Sequence, residues 1–278
     1  VVAPVCTHEK DEDESICRKE GDMRMAKLLD LSISNLTMGQ TIDSVLSFLC
    51  AKRAGYLACI NPHSFVVSES DSEFREALKT ADILIPDGFG IVLASKVLGL
   101  PIRDRVSGPD FFVDFTKRAN SLGSLRYFLL GSSECVIQKM VDRLKQEAPN
   151  IDVCGVLSPP YKEQFTEGEN EHMVNFINAC RPDVLWVGLS APKQEKWIFR
   201  NRERLDVPFV AAIGAAFDFY AGTKKRSSLF WQRTGLEWLP RFFREPRRLW
   251  RRNLKSTPVF LSWVAREKFR QIFAPYAS

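Results

Sequence analysis

Long apolar runs are missing from this chain. The longest, near Val207–Phe217, contains a proline and falls short of the roughly 18 apolar residues that a membrane-spanning helix needs, so a soluble or peripheral body is expected. Secretion is not expected either, because Glu9, Asp11, Glu12, Asp13 and Glu14 stand where a signal peptide would carry its apolar region. The seven cysteines are odd in number and form no C-x-x-C pair, which argues against a disulfide framework or a zinc site and for a reducing cytoplasm. Histidine is scarce. His8, His63 and His172 are far apart, with no H-E-x-x-H spacing, so metal-hydrolase chemistry has little to stand on. The body also lacks an Asp-x-Asp pair, since the only such triplet is Asp11-Glu12-Asp13 near the start. No metal and no cofactor are therefore expected, and charge on a leaving group must be met by Arg or Lys.

What is present is an uneven charge. The net charge is +5, yet between Lys224 and Ser278 fourteen Lys and Arg face three acidic residues, a balance of +11 that leaves −6 for the rest. A basic block rich in Trp and Phe points to an anionic partner: a membrane surface, a phosphate-bearing substrate or nucleic acid. Residues 1–25 are polar, without periodicity, and read as a flexible extension.

Short apolar runs alternate with amphipathic stretches over 26–222. Tyr56–Ile60, Asp82–Pro86, Leu125–Gly131, Ile151–Val156, Asp183–Gly188 and Val207–Gly214 read as buried strands. Ile42, Val45, Leu46 and Leu49 recur at helical spacing, as do Val136, Met140, Val141 and Leu144 behind a Ser132-Ser133 cap. Strands alternating with helices predict an α/β fold: a Rossmann-like, mostly parallel sheet with helices on both faces, followed over 223–278 by a basic, aromatic-rich helical appendage.

In such a sheet the ligand crevice lies at the carboxyl ends of the strands. Asn61, Asp87, Gly131-Ser132-Ser133, the 188–194 segment and Gly214–Asp218 all converge there. Gly131 and Ser132 suit a diphosphate contact or a simple helix cap. Asp87, in Pro-Asp-Gly-Phe-Gly, suits a general base, a sugar-hydroxyl contact or an ordinary turn. Lys193 and Gln194 follow Ser190 and Pro192 at a helix start and suit ligand contacts or a solvated first turn. Arg241, Arg244, Arg248 and Arg251 recur at helical spacing among Trp238, Phe242, Phe243 and Trp250, fit either for lipid and diphosphate or for a solvated helix that packs its aromatics on the body.

Five ordered segments go further: Pro86-Asp87-Gly88, Arg105–Asp110, Val187–Trp197, Phe217–Gly222, and Gly235–Leu239 continuing through Glu245–Arg252. Together they resemble the WecG/TagA/CpsF glycosyltransferases, family 26, over roughly Leu28–Leu254. The resemblance implies a GT-E fold and inverting transfer of a hexose from a UDP-sugar to a polyprenyl-diphosphate-linked acceptor, without a metal, at the inner face of a bacterial membrane. It implies that Asp87 is the general base. It implies that Arg105 and Gln194 contact the donor sugar or its diphosphate and that Arg241, Arg248 and Arg251 close over that diphosphate, while Asn61, Gly131, Ser132 and Lys193 are expected as donor contacts from their place on the rim. Cys59 stands where some members have threonine, and with Asp218 it falls to the acceptor or sugar pocket. The implied partners are the UDP-sugar, the lipid-linked acceptor and the anionic inner-membrane surface, with a homo-oligomer left open. The competing reading is a nucleotide- or nucleic-acid-binding α/β protein using the basic tail. Nucleic acid is not expected as a partner, because the chain has no recognised nucleic-acid motif and no spaced stacking aromatics.

Overall fold

The computed structural model describes residues 25–28, 30–102, 104–227, 231 and 255–273. Two strands, β1 (Met25–Leu28) and β2 (Leu31–Ser34), form an antiparallel hairpin. Then α1 (Met38–Cys50) leads to β3 (Gly55–Ile60), α2 (Pro62–Ser70), α3 (Ser72–Lys79), β4 (Ile83–Pro86), α4 (Phe89–Leu98) and α5 (Gly108–Leu122). The chain continues through β5 (Arg126–Gly131), α6 (Glu134–Glu147), β6 (Asp152–Leu157), α7 (Glu167–Cys180), β7 (Val184–Gly188) and α8 (Lys193–Asn201). It ends in β8 (Phe209–Ala212), α9 (Ala216–Tyr220) and α10 (Ser256–Phe273).

Strands β3 to β8 form one parallel sheet in the order β4-β3-β8-β7-β5-β6. Every expected strand is there. The one predicted over Val207–Gly214 is shorter, because Pro208 offers no N–H to a neighbour and Gly214 turns away at φ +50°. The sheet is covered on both sides, and alternate residues of each strand serve different cores. Tyr56, Ala58, Phe128, Leu130, Leu185 and Val187 pack with α2, α3, α4, α7, α8 and α10. Leu57, Tyr127, Leu129, Val184, Trp186 and Phe209 pack with α1, α5, α6 and α9. Trp186 anchors the second core, ringed by Phe111, Phe112, Phe115 and Tyr127 at centroid distances of 4.8–6.0 Å.

Helix starts follow the sequence signals. Thr37 and Gln40 form a reciprocal cap on α1, Thr166 and Glu169 on α7, and Ser133 accepts from the Val136 N–H at α6.

The helix α10 corrects one expectation. Phe260, which falls in the aromatic-rich segment 223–278 expected to face an anionic partner, is 1% exposed and meets Phe65 of α2 edge-on at 5.3 Å, with Trp263 at 5.9 Å from the same ring. Ser256 Oγ and His63 Nδ1 are 2.8 Å apart, so His63 is a docking residue for this helix. Apolar burial against Phe65 outweighs any gain from an interface. Trp238, Phe242, Phe243 and Trp250 lie outside the described residues.

Candidate active site

The crossover helices divide at one place. From β5 the chain moves through α6 to β6 on one face, and from β7 it moves through α8 to β8 on the other. The gap between the carboxyl ends of β5 and β7 is therefore the switch point where an open α/β sheet binds its ligand. Its walls are narrow. A Cβ on Gly131 would stand 2.6 Å from the Gly188 carbonyl carbon, and the Ser132 N–H donates to the Gly188 carbonyl at 3.2 Å. Ser132 and Ser190 both take left-handed conformations, φ +57° and +71°, which turns the two loops outward around the crevice.

A cavity of about 340 Å³ opens beside it, lined among others by Tyr161, Phe165, Ser190, Lys193 and Trp197. The Lys193 ammonium lies 5.1 and 5.3 Å from the Tyr161 and Phe165 rings and donates to the Lys162 carbonyl at 2.9 Å. Burial holds its pKa below the ordinary lysine value. The neighbouring cations are spoken for: Lys196 pairs with Asp71 and Glu73, and Arg200 with Glu73.

At the other end of the rim stand Asp87, Asn61 and Arg105. The Asp87 N–H donates to the Ile60 carbonyl at 2.8 Å, which ties the turn after β4 to the end of β3. Gly88 then takes φ +126°, a conformation that a side chain would strain, and Gly90 leaves room for Pro62, whose Cγ would be 2.4 Å from an added Cβ. Asn61 caps α2, its Oδ1 accepting from the His63 and Ser64 N–H groups. Val106 N–H donates to the Pro86 carbonyl at 3.2 Å, which brings the Arg105 loop alongside Asp87. Arg105 reaches Asp110 at 3.5 Å, while Arg226 grips the same carboxylate with two bonds of 2.5 and 2.8 Å. Burial would raise the Asp110 pKa, but the bonds from Arg226 and Ser107 outweigh it and hold it below the usual range. Arg226 was not among the expected residues. It stands in the basic run Lys224-Lys225-Arg226, where nothing in the spacing distinguishes it from a solvated charge.

Cys59 lies under this rim. Its thiol donates to the Ala212 carbonyl at 3.4 Å, and burial first, then the Asp87 and Glu195 carboxylates, push its pKa well up. It is a neutral thiol, and it packs against Gly108, where an added Cβ would be 3.2 Å from the sulfur. Asp218 is committed elsewhere, accepting from Lys224 Nζ at 2.7 Å and Thr223 Oγ1 at 3.3 Å. Between the two ends sits Gln194, 3% exposed, accepting from the Gly214 N–H at 3.1 Å and donating to Glu195 at 2.8 Å. The structure thus gathers Cys59, Asn61, Asp87 and Arg105 at one end and Gly131, Ser132 and Lys193 at the other, with Gln194 between. Arg241, Arg248 and Arg251 lie outside the described residues. Among the described residues no three His, Cys, Asp or Glu side chains gather to hold a metal ion, and no helix is long and apolar enough to cross a membrane.

The family model described as glycosyl transferase WecG/TagA/CpsF matches residues 26–273. The chain belongs to this family. A WecG/TagA/CpsF-family chain is a glycosyltransferase, and that settles the class of enzyme. Its curated relatives include the N-acetylglucosaminyldiphosphoundecaprenol N-acetyl-beta-D-mannosaminyltransferase of Bacillus spizizenii, 29% identical over 222 residues, which are 80% of this chain and 83% of that protein. A protein of the same name from Staphylococcus aureus strain MW2 is 26% identical over 243 residues, 87% of this chain and 92% of the other.

Proposed function

We propose that this glycosyltransferase moves N-acetylmannosamine from a UDP-sugar to an acceptor sugar linked through a diphosphate to a polyprenyl lipid, in the synthesis of a bacterial surface polymer. The observation that carries this reading is the relatives' shared activity over four-fifths or more of the chain. The rim is compatible with it. Neighbouring strands are about 4.8 Å apart, so Asp87 at the end of β4 stands three strand spacings, about 14 Å, from the β7 side of the switch crevice. A nucleoside diphosphate seated in that crevice, near Gly131, Ser132 and Lys193, directs its sugar toward Asp87.

In that arrangement the Asp87 carboxylate takes the proton of the acceptor hydroxyl as its oxygen attacks the anomeric carbon. The bond from that carbon to the diphosphate oxygen breaks on the opposite side, UDP leaves with the electron pair, and the anomeric configuration inverts. Lys193 and the arginines Arg241, Arg248 and Arg251 meet the charge that grows on the diphosphate, so that no divalent ion is required, and Arg105, beside Asp87, meets the donor sugar. The +11 segment from Lys224 onward holds the enzyme on the anionic inner face of the membrane, where the acceptor lies.

Incubation with UDP-N-acetylmannosamine, UDP-glucose or a UDP-uronic acid, together with a short-chain polyprenyl diphosphate N-acetylglucosamine, read by mass spectrometry, tests the reading. Addition of one N-acetylhexosamine from the first donor alone supports it. Transfer from only another donor overturns the choice of sugar. The same assay in excess chelator should proceed undiminished, and loss of turnover restored by manganese or magnesium would contradict the metal-free route.

A further inference from the structure

Glu195 is the least expected charge in the molecule. It is 1% exposed, on the buried face of α8 with Trp197 and Ile198. One carboxylate oxygen, Oε1, accepts from Gln194 Nε2 at 2.8 Å, and the other, Oε2, is buried with no partner among the described residues. A carboxyl group costs several kcal/mol to bury, so a bland packing role is poorly served by it. Gln194 is held from both ends, because its Oε1 accepts from the Gly214 backbone N–H at 3.1 Å. That donor is a backbone amide and cannot reverse its role. It fixes which end of the Gln194 amide is oxygen, and the Glu195 acceptor requires the other end to be nitrogen.

We infer that Glu195 is a positioning residue that clamps the Gln194 amide so that its second N–H is held toward the substrate. The amide nitrogen carries two hydrogens, and Glu195 takes one. The second is left for a ligand, and Gln194 lies on the floor of the rim between the switch crevice and Asp87. The ligand chemistry this selects is an anionic oxygen, the diphosphate oxygen that gains charge as the sugar departs. An amide free to rotate would present its carbonyl oxygen to that same anion for part of the time, and the repulsion would be felt most in the transition state. Gly214 shares in the clamp. Its φ of +50° and the proximity of Gln194, whose Nε2 would be 3.5 Å from an added Cβ, set the exit of β8 against the same amide.

The inference rests on the proposed glycosyl transfer, and the test separates the two. In the full-length enzyme with the donor and acceptor named above, Glu195→Leu keeps the volume and removes the acceptor. It should lower kcat by about 10- to 100-fold while KM for the UDP-sugar stays near the wild-type value. Glu195→Gln retains a carbonyl that can accept from Gln194 and should recover most of kcat. A general loosening of the rim would raise KM along with lowering kcat and would not be rescued selectively by glutamine. Wild-type kcat in a folded Glu195→Leu variant, or equal defects in the Leu and Gln variants, would overturn the assignment. Should Glu195→Leu fail to fold, the exchanged pair Gln194→Glu with Glu195→Gln keeps the hydrogen bond between the two positions and an acceptor for Gly214 but has no N–H for the ligand. That chain should fold, by circular dichroism, and lose turnover, and unimpaired turnover would refute the role of the N–H. If wild-type enzyme shows no transfer from any donor, the proposed function fails first. The clamp is then read from UDP titrated by calorimetry, which Glu195→Leu should weaken and Glu195→Gln should not, the reverse pattern counting against it.

Discussion

At the scale of single residues, two carboxylates with opposite surroundings occupy one rim. Asp87 stands on a glycine-flanked turn held by its own N–H to Ile60, beside the Arg105 loop. Changing it to asparagine keeps the shape and removes the base, so Asp87→Asn should bind UDP as wild type does in calorimetry while transfer falls by about 10² to 10⁴. Undiminished transfer in that variant would exclude Asp87 as the base. Glu195 is enclosed, and burial raises its pKa from the ordinary 4.5 to about 7 against the opposing bond from Gln194. The folded state then holds a proton that the unfolded chain has already lost over that interval. Stability falls as pH rises from about 4.5 to about 7, and the full penalty, roughly 3 kcal/mol, stays in place above it. Urea unfolding at about pH 5 and about pH 8 should show this loss in wild type and a flatter profile in Glu195→Gln. The place of Asp87 on the rim was legible in the sequence because its turn is written in adjacent letters, Pro-Asp-Gly-Phe-Gly. The burial of Glu195 was not, because it depends on a helix face turned inward, beside a Gln194 amide held by Gly214 twenty positions away.

Elements were easier to read where they were long. Six strands with helices between them followed from apolar runs and periodicity, although the edge strand β6, expected to be buried, is half-buried to exposed along its length because it has a neighbour on one side only. The β1–β2 hairpin did not, because Met25–Leu28 and Leu31–Ser34 lie in no continuous apolar run like those of the parallel strands and pair only with each other. The docking of α10 was also hidden. Its aromatics suit a membrane as well as a core, and only the presence of Phe65 and His63 on α2 decides for Phe260 and Ser256. Phe260→Ala should therefore act as a core truncation and lower stability by about 3–5 kcal/mol, seen as a drop in Tm. A change below about 0.5 kcal/mol would mean that the helix is not part of the core. The exposed side of the same helix, with Leu261, Phe269 and Phe273, is free of that constraint.

Across the whole molecule, charge and chemistry are segregated. Residues 1–223, which hold the rim, carry −6, and the segment from Lys224 onward carries +11. Basic residues near an anionic bilayer contribute about 1 kcal/mol each and are screened within about 8 Å at physiological salt. Cosedimentation with phosphatidylglycerol vesicles should accordingly be strong at about 0.05 M salt and weak at about 0.5 M, and absent with neutral vesicles. Salt-independent binding would point to apolar insertion in place of electrostatic docking. The account as a whole rests on one reaction, and the product answers for it most directly. Wild-type enzyme given UDP-N-acetylmannosamine and polyprenyl diphosphate N-acetylglucosamine should add a single N-acetylhexosamine, seen by mass spectrometry. Its anomeric configuration, read by NMR, should be the opposite of the donor's. An unchanged acceptor, or a product that keeps the donor's anomeric configuration, would contradict it.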